Sequence, residues 1–173
     1  MLLGAELGYQ YNENLRFGLS LDYLPNISFK DNIVTVYEDV LTAFDEYNFK
    51  IKSFSSMFNG YYDIAQINKF TPYIAFGLGF SVNKSSGYYQ TEHDDGEKFP
   101  KIDIPEYEVA NLAYKLGFGS RYNINQKLSL DVRYQFVDLG KIKTGVNEEE
   151  EFELDNNGKL KAHQFLLGFV YKF

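Results

Sequence analysis

The final stretch, Ala162–Phe173, alternates without interruption. Counting back in steps of two gives Phe173, Tyr171, Phe169, Leu167 and Phe165, a face that is wholly apolar and mostly aromatic. The other parity gives Lys172, Val170, Gly168, Leu166 and Gln164. A period of two is the signature of a strand with two distinct faces. Chain termini usually fray in water. A chain that closes on its most hydrophobic strand is therefore expected to be built for a different solvent.

Six further stretches repeat the pattern. In Leu2–Tyr11, Leu3, Ala5, Leu7, Tyr9 and Tyr11 alternate with Gly4, Glu6, Gly8 and Gln10. In Leu15–Leu24, Leu15, Phe17, Leu19, Leu21 and Tyr23 alternate with Arg16, Gly18, Ser20 and Asp22. Lys50–Ile64 is less regular: Phe54, Phe58, Tyr62 and Ile64 oppose Ser53, Ser55, Met57, Asn59 and Asp63, with a bulge expected near Lys52. Thr71–Val82, Val109–Tyr122 and Lys127–Val137 are cleanly two-faced. Between them, short polar turns at Asn12-Glu13-Asn14, Ala65–Lys69 and Asn123–Gln126 alternate with long connections at 25–47, 83–107 and 138–161. The first connection is expected to carry a helical turn over Asp39–Phe44. The hairpins share one rule: Tyr11-Asn12-Glu13-Asn14 is echoed by Tyr122-Asn123-Ile124-Asn125, and Leu19-Ser20-Leu21-Asp22 by Leu128-Ser129-Leu130-Asp131.

Composition narrows the environment. The 173 residues suit one domain, 1–173. Aromatics reach 18%, as 15 Tyr and 16 Phe with no Trp, which fits interfacial aromatic girdles. A net charge of −7 argues against nucleic acid as a partner. With no cysteine there is no disulfide framework, thiolate metal site or Cys nucleophile. No run approaches the roughly 18 apolar residues of a membrane helix. A mean hydropathy of −0.34 is compatible with strands that show lipid only alternate residues.

Strict alternation of short turns with long connections is the rule of outer-membrane barrels, and about ten residues per strand suffice to cross the bilayer when tilted. The second face decides which side meets lipid. It carries Gly4, Gly8, Gly18, Gly77, Gly79, Gly117, Gly119 and Gly168 among Glu6, Arg16, Asp22, Lys115, Arg121, Asp131 and Arg133. Small residues and mixed charges suit the cramped interior of a small barrel. The other face is uncharged in six of the seven strands, as lipid requires. Lys50 and Lys52 are the exception, placed near the loop end where charge is cheap.

Phe58-Asn59-Gly60-Tyr61-Tyr62-Asp63 and Thr71-Pro72-Tyr73-Ile74-Ala75-Phe76-Gly77-Leu78-Gly79 resemble the outer-membrane protein β-barrel family. So do Leu128-Ser129-Leu130-Asp131-Val132-Arg133-Tyr134, Asp138-Leu139-Gly140 and the closing Leu167–Phe173. That family includes opacity-type proteins and rickettsial surface antigens. The resemblance implies an all-β, antiparallel, up-and-down transmembrane barrel of eight strands in the bacterial outer membrane, with variable surface loops. It also implies that Phe173, Tyr171, Phe169, Leu167 and Phe165 form an assembly signal read by the barrel assembly machinery. Seven strands are visible here, so the first and last run parallel. The expected explanation is a first strand, with a signal peptide, ahead of Met1.

For function, the charged interior set reads as a salt-bridged plug, because eight strands leave room only for side chains; a pore lining is the alternative. His93 beside Asp94 and Asp95 has the donors of a cation site, yet also the composition of a solvated loop. His163 is the histidine a Ser/His/acid triad would need, but nothing in the residue order assembles one. The run Glu148–Glu151 reads as a solvated loop or a lure for cations. Tyr88, Tyr89 and Tyr107 are candidate contact residues. The expected protein is a monomeric, non-enzymatic surface antigen or adhesin without cofactor. It sits among outer-membrane lipids, and its loops meet a host or surface ligand. The rivals are a narrow porin-like channel and a soluble calycin-like lipid carrier.

Overall fold

A computed structural model describes residues 2–37, 40–93, 102–143 and 158–173. They form one antiparallel sheet in chain order: β1 (Leu3–Gln10), β2 (Leu15–Tyr37), β3 (Val40–Asp63), β4 (Phe70–His93), β5 (Ile102–Asn123), β6 (Leu128–Lys141) and β7 (Lys159–Tyr171). Each strand pairs with its sequence neighbours. Among the described residues no pairing joins β1 to β7, so the curled sheet is open along one seam. All of β1 is exposed on both faces as a result.

The alternation sorts side chains as the period of two demands. Phe58, Phe76, Leu116, Phe118, Val132 and Phe169 stand on the convex face, each about half exposed or more. Ser20, Asn59, Asp63, Lys115, Arg121, Ser129 and Asp131 are buried on the concave face. Glycines on that face make room. A Cβ on Gly119 would lie 2.6 Å from the Tyr73 hydroxyl and equally close to the Val132 carbonyl.

The turn at Asn12 and that at Asn125 use the same device. Asn12 Oδ1 accepts from the amides of Asn14 and Leu15 at 2.9 and 2.7 Å; Asn125 Oδ1 accepts from Lys127 and Leu128 at 2.9 and 2.8 Å. These are side-chain mimics of a backbone turn. The equivalence is thus Asn12 with Asn125 and Leu15 with Leu128, an offset from the sequence echo, which aligned Asn12 with Asn123.

The long connections expected at 25–47 and 83–107 are instead mostly strand. β2 and β3 stay paired from Leu15↔Tyr62 out to Tyr37↔Val40, and β3 and β4 from Asp63↔Tyr73 out to Ala43↔His93. The helical turn expected over Asp39–Phe44 is strand from Val40 onward. Likewise β6 continues to Lys141 and β7 starts at Lys159. Pro25-Asn26 does not end β2: it forms a bulge opposite Lys52, between Leu24↔Ser53 and Ile27↔Ile51. Pro105-Glu106 bulges in the same way opposite Ser86. Proline is tolerated where a bulge removes its missing N–H from the ladder.

A strand of 24 residues spans about 80 Å at roughly 3.3 Å per residue, against about 30 Å of hydrocarbon. Only the half next to the short turns crosses lipid. There the convex face ends on Tyr23, Phe54 and Val82, and the next outward positions are Lys52, Lys84 and Glu108. Both bulges sit just beyond that boundary, and bulges bend and twist a strand.

Val132→Arg places a charge mid-strand on the lipid face, costing roughly 2–4 kcal/mol. Urea unfolding in liposomes is expected to show that loss. An unchanged midpoint means the face assignment is wrong.

Candidate functional site

Residues from non-adjacent strands meet on the concave face, in two layers. The layer nearest the short turns is ionic. Asp63, at the end of β3, takes Arg16 from β2 through Nε at 3.0 and 3.1 Å and through a terminal nitrogen at 2.8 Å. Its Oδ2, already bonded by the Arg16 Nε, also takes Arg121 from β5 at 2.5 Å. Glu6 Oε2 accepts from Asn59 at 2.8 Å and from the Tyr61 hydroxyl at 2.6 Å. Tyr73 donates to Asp131 at 2.7 Å, and Arg133 donates to both tyrosine oxygens at 3.1 Å. The guanidiniums of Arg16 and Arg133 lie 4.5 and 5.1 Å from the Tyr61 ring centre, within cation–π range. Lys115 donates to Ser20 at 3.1 Å and faces Asp22 at 3.4 Å.

The candidate charges Glu6, Arg16, Asp22, Lys115, Arg121, Asp131 and Arg133 are therefore all on this face, and they close on residues the sequence reading left out. Adding Asp63 makes four acids and four bases. Tyr61 and Tyr73 are buried between them. Their signal was parity alone: Tyr61 shares a face with Asn59 and Asp63, and Tyr73 with Gly77. Tyrosine in such a chain is easily read as girdle.

The second layer, toward the long ends of the strands, is apolar. Leu24, Ile51, Met57, Ala113, Val137, Leu139 and Leu160 cluster there, with Ile27 and Ile142 against them. Sequence reading missed this layer too, although Met57 and Val137 lie on the polar parity. Between the layers a cavity of about 10 Å³ is bounded by Asp22 and Lys115 below and Leu24, Met57 and Val137 above. That is room for about one water. Side chains also stand in for the ladder where β6 bulges: Asn83 donates to the carbonyls of Leu139 and Lys141 at 2.7 and 3.0 Å, and Ser81 to Leu139 at 2.6 Å.

The other candidates do not converge. His163 stands on the convex face, its Nδ1 2.8 Å from the Tyr134 hydroxyl and its ring against Phe136. Tyr107 is exposed and Tyr88 is half-buried, accepting from Asn48 at 3.3 Å. Asp94, Asp95, the run Glu148–Glu151 and the side chains of Tyr89 and His93 lie outside the described residues. Phe165, Leu167, Phe169, Tyr171 and Phe173 line the convex face of the last strand, 58–96% exposed.

The family model for the outer membrane protein beta-barrel domain matches residues 2–173. The chain belongs to that family. Outer membrane protein PagN of Salmonella typhimurium is 24% identical over an alignment of 178 positions that covers 98% of this chain and 72% of PagN. Uncharacterized proteins of Brucella suis and Brucella abortus are 24% and 25% identical over 167 residues; the chain spans 58% of their length. As a member of the outer membrane β-barrel family, it is a protein of the bacterial outer membrane, and its convex apolar face meets lipid.

Asp63→Ala strands two guanidiniums in a buried site. Removing one partner of a buried pair costs roughly 3–5 kcal/mol, and a loss of that order is expected in urea unfolding from lipid vesicles. A change below about 1 kcal/mol, the worth of an exposed pair, would mean that Arg16 and Arg121 are solvated.

Proposed function

We propose that this is a closed-interior outer-membrane barrel whose role is to hold out a tall, surface-exposed β-structure for contact with a host or surface ligand. The carrying observation is the length of β2, β3, β4 and β5, 22–24 residues each, when about ten cross the membrane. Four strands continue together past the lipid, and a paired sheet is a stiff support for contact residues such as Tyr107. The ionic and apolar layers act as the plug. Charges balance four to four and the space between them holds about one water, which supports a non-conducting interior over a channel. The role needs no catalysis and no cofactor. An eighth strand, antiparallel to both β1 and β7, completes the ring, and the barrel works as a monomer. Phe173, with Tyr171, Phe169, Leu167 and Phe165, serves as the signal read by the assembly machinery.

Two measurements test the reading. In planar bilayers the protein is expected to give no stepwise conductance; steady openings would favour the channel. Replacing residues 28–50 and 88–103 by short turns is expected to abolish attachment of expressing bacteria to host surfaces while leaving heat-modifiable gel mobility intact. Attachment by the shortened protein would remove the contact role.

Deleting Phe173 is expected to cut the amount inserted in cells several-fold, with little change in stability in detergent. Unchanged insertion would show that the terminal aromatic carries no signal.

A further inference from the structure

The outer end of the β6–β7 hairpin carries an arrangement that a sheet normally avoids. Lys141 and Lys159 are direct cross-strand partners, and like charges placed opposite each other destabilise a sheet. The bulge of Leu139-Gly140 opposite Leu160 creates the pairing: Leu139 and Leu160 keep the inward parity of Val137 and Ala162, and the extra residue shifts Lys141 to the outward face. Gly140 takes φ +79° there, with its amide held by Asp138 Oδ1 at 2.9 Å. Lys161, two residues from Lys159 on the same face, reaches Asp138 at 3.3 Å. Lys143 is exposed nearby. Among the described residues, Asp138 on Lys161 is the one carboxylate in contact with any of these four lysines.

The contrast with the β4–β5 hairpin is direct. There Lys84 also faces a lysine, Lys52, across the β3–β4 ladder, but it has Glu106 at 2.6 Å and Glu108 at 3.4 Å on its other side, and the Glu106 carboxylate holds the Lys84 ammonium above its ordinary pKa. Height fixes what the β6–β7 lysines meet. The same outward face, one step toward the membrane, carries Phe136 and His163, then Tyr134 and Phe165. The lysines begin where the apolar band ends, at the level of lipid headgroups.

We propose that Lys141, Lys159 and Lys161 form a binding site for the phosphate groups of anionic lipid in the leaflet on the long-strand side. A phosphate between Lys141 and Lys159 turns a repulsive pair into two charge-assisted contacts. The rival counterion is the chain's own Glu148–Glu151, which lies in sequence between the two strands.

The test uses the full chain in phosphatidylcholine vesicles doped with bis-phosphorylated or dephosphorylated lipid A, scored by lipid retained after detergent exchange. Wild type is expected to retain the phosphorylated lipid about tenfold over the other. K141Q/K159Q is expected to lose that preference. K127Q/K172Q, with the same charge change at the opposite end, is expected to keep it. Lys141→Glu is expected to abolish retention while raising the unfolding midpoint in detergent, because it relieves the repulsion. Four results would overturn the site: equal retention of both lipids; a preference that survives K141Q/K159Q; full displacement by millimolar inorganic phosphate, which makes the ligand a free anion; or a preference that appears only when Glu148–Glu151 are changed to Gln, which makes the chain its own counterion.

Discussion

Hydrocarbon offers a backbone no hydrogen-bond partner, and the whole architecture follows from that. Every N–H and C=O at membrane depth must be paired within the protein. Neighbouring antiparallel strands do this, at the cost of fixing the side-chain period at two. One parity then belongs to lipid and must be apolar. The other is freed from that demand but is crowded, because so few strands enclose little space. Charges confined there are largely cut off from water, so they satisfy each other. Asp63 between Arg16 and Arg121, and Tyr61 and Tyr73 between Arg133 and the carboxylates of Glu6 and Asp131, are that solution.

The network also links strands that share no ladder. Glu6 ties β1 to β3, Lys115 ties β5 to β2, Arg121 ties β5 to β3, and Asp131 ties β6 to β4. A slip of one residue in any register would turn that strand's charge toward lipid, where it costs kilocalories. Alternation on the outside and salt bridges on the inside therefore specify the same register twice. Above this layer the interior turns apolar around Met57, Val137 and Leu139, where burial needs no exact partner and bulges are absorbed easily.

What could be read from the sequence was what lipid enforces. Seven two-faced segments, the short-turn ends and the inward position of the seven candidate charges all come from the period of two. The outer halves of the strands were not legible, for the same reason. Beyond the headgroups lipid no longer demands an apolar outward face, the alternation lapses, and Pro25 and Pro105 read as breaks rather than bulges. A weaker signal was present: Ile33-Val34-Thr35-Val36 is a β-branched run of the kind strands favour. Inside, Asp63, Tyr61 and Tyr73 were missed because their partners are set by curvature, and sequence spacing carries no record of which strands face each other across the interior.

The hydrogen-bond constraint bears hardest on the seam. Six antiparallel steps separate β1 from β7, so the two edges run in the same direction. Each edge carries a row of backbone groups that lipid cannot satisfy, and the up-and-down connection has no antiparallel way to join them. A strand running opposite to both resolves every one of these groups at once, which is why the proposed reading includes it. The inward surface already suits such a guest. Glu6 is exposed on β1 although its oxygen is held by Asn59 and Tyr61. On the facing edge, a Cβ at Gly168 would meet nothing within 4 Å. A small or hydrogen-bond-donating side chain at that level fits the space and leaves the four-to-four charge balance intact. A second carboxylate beside Glu6 would not, because among the described residues the interior has no further cation to meet it.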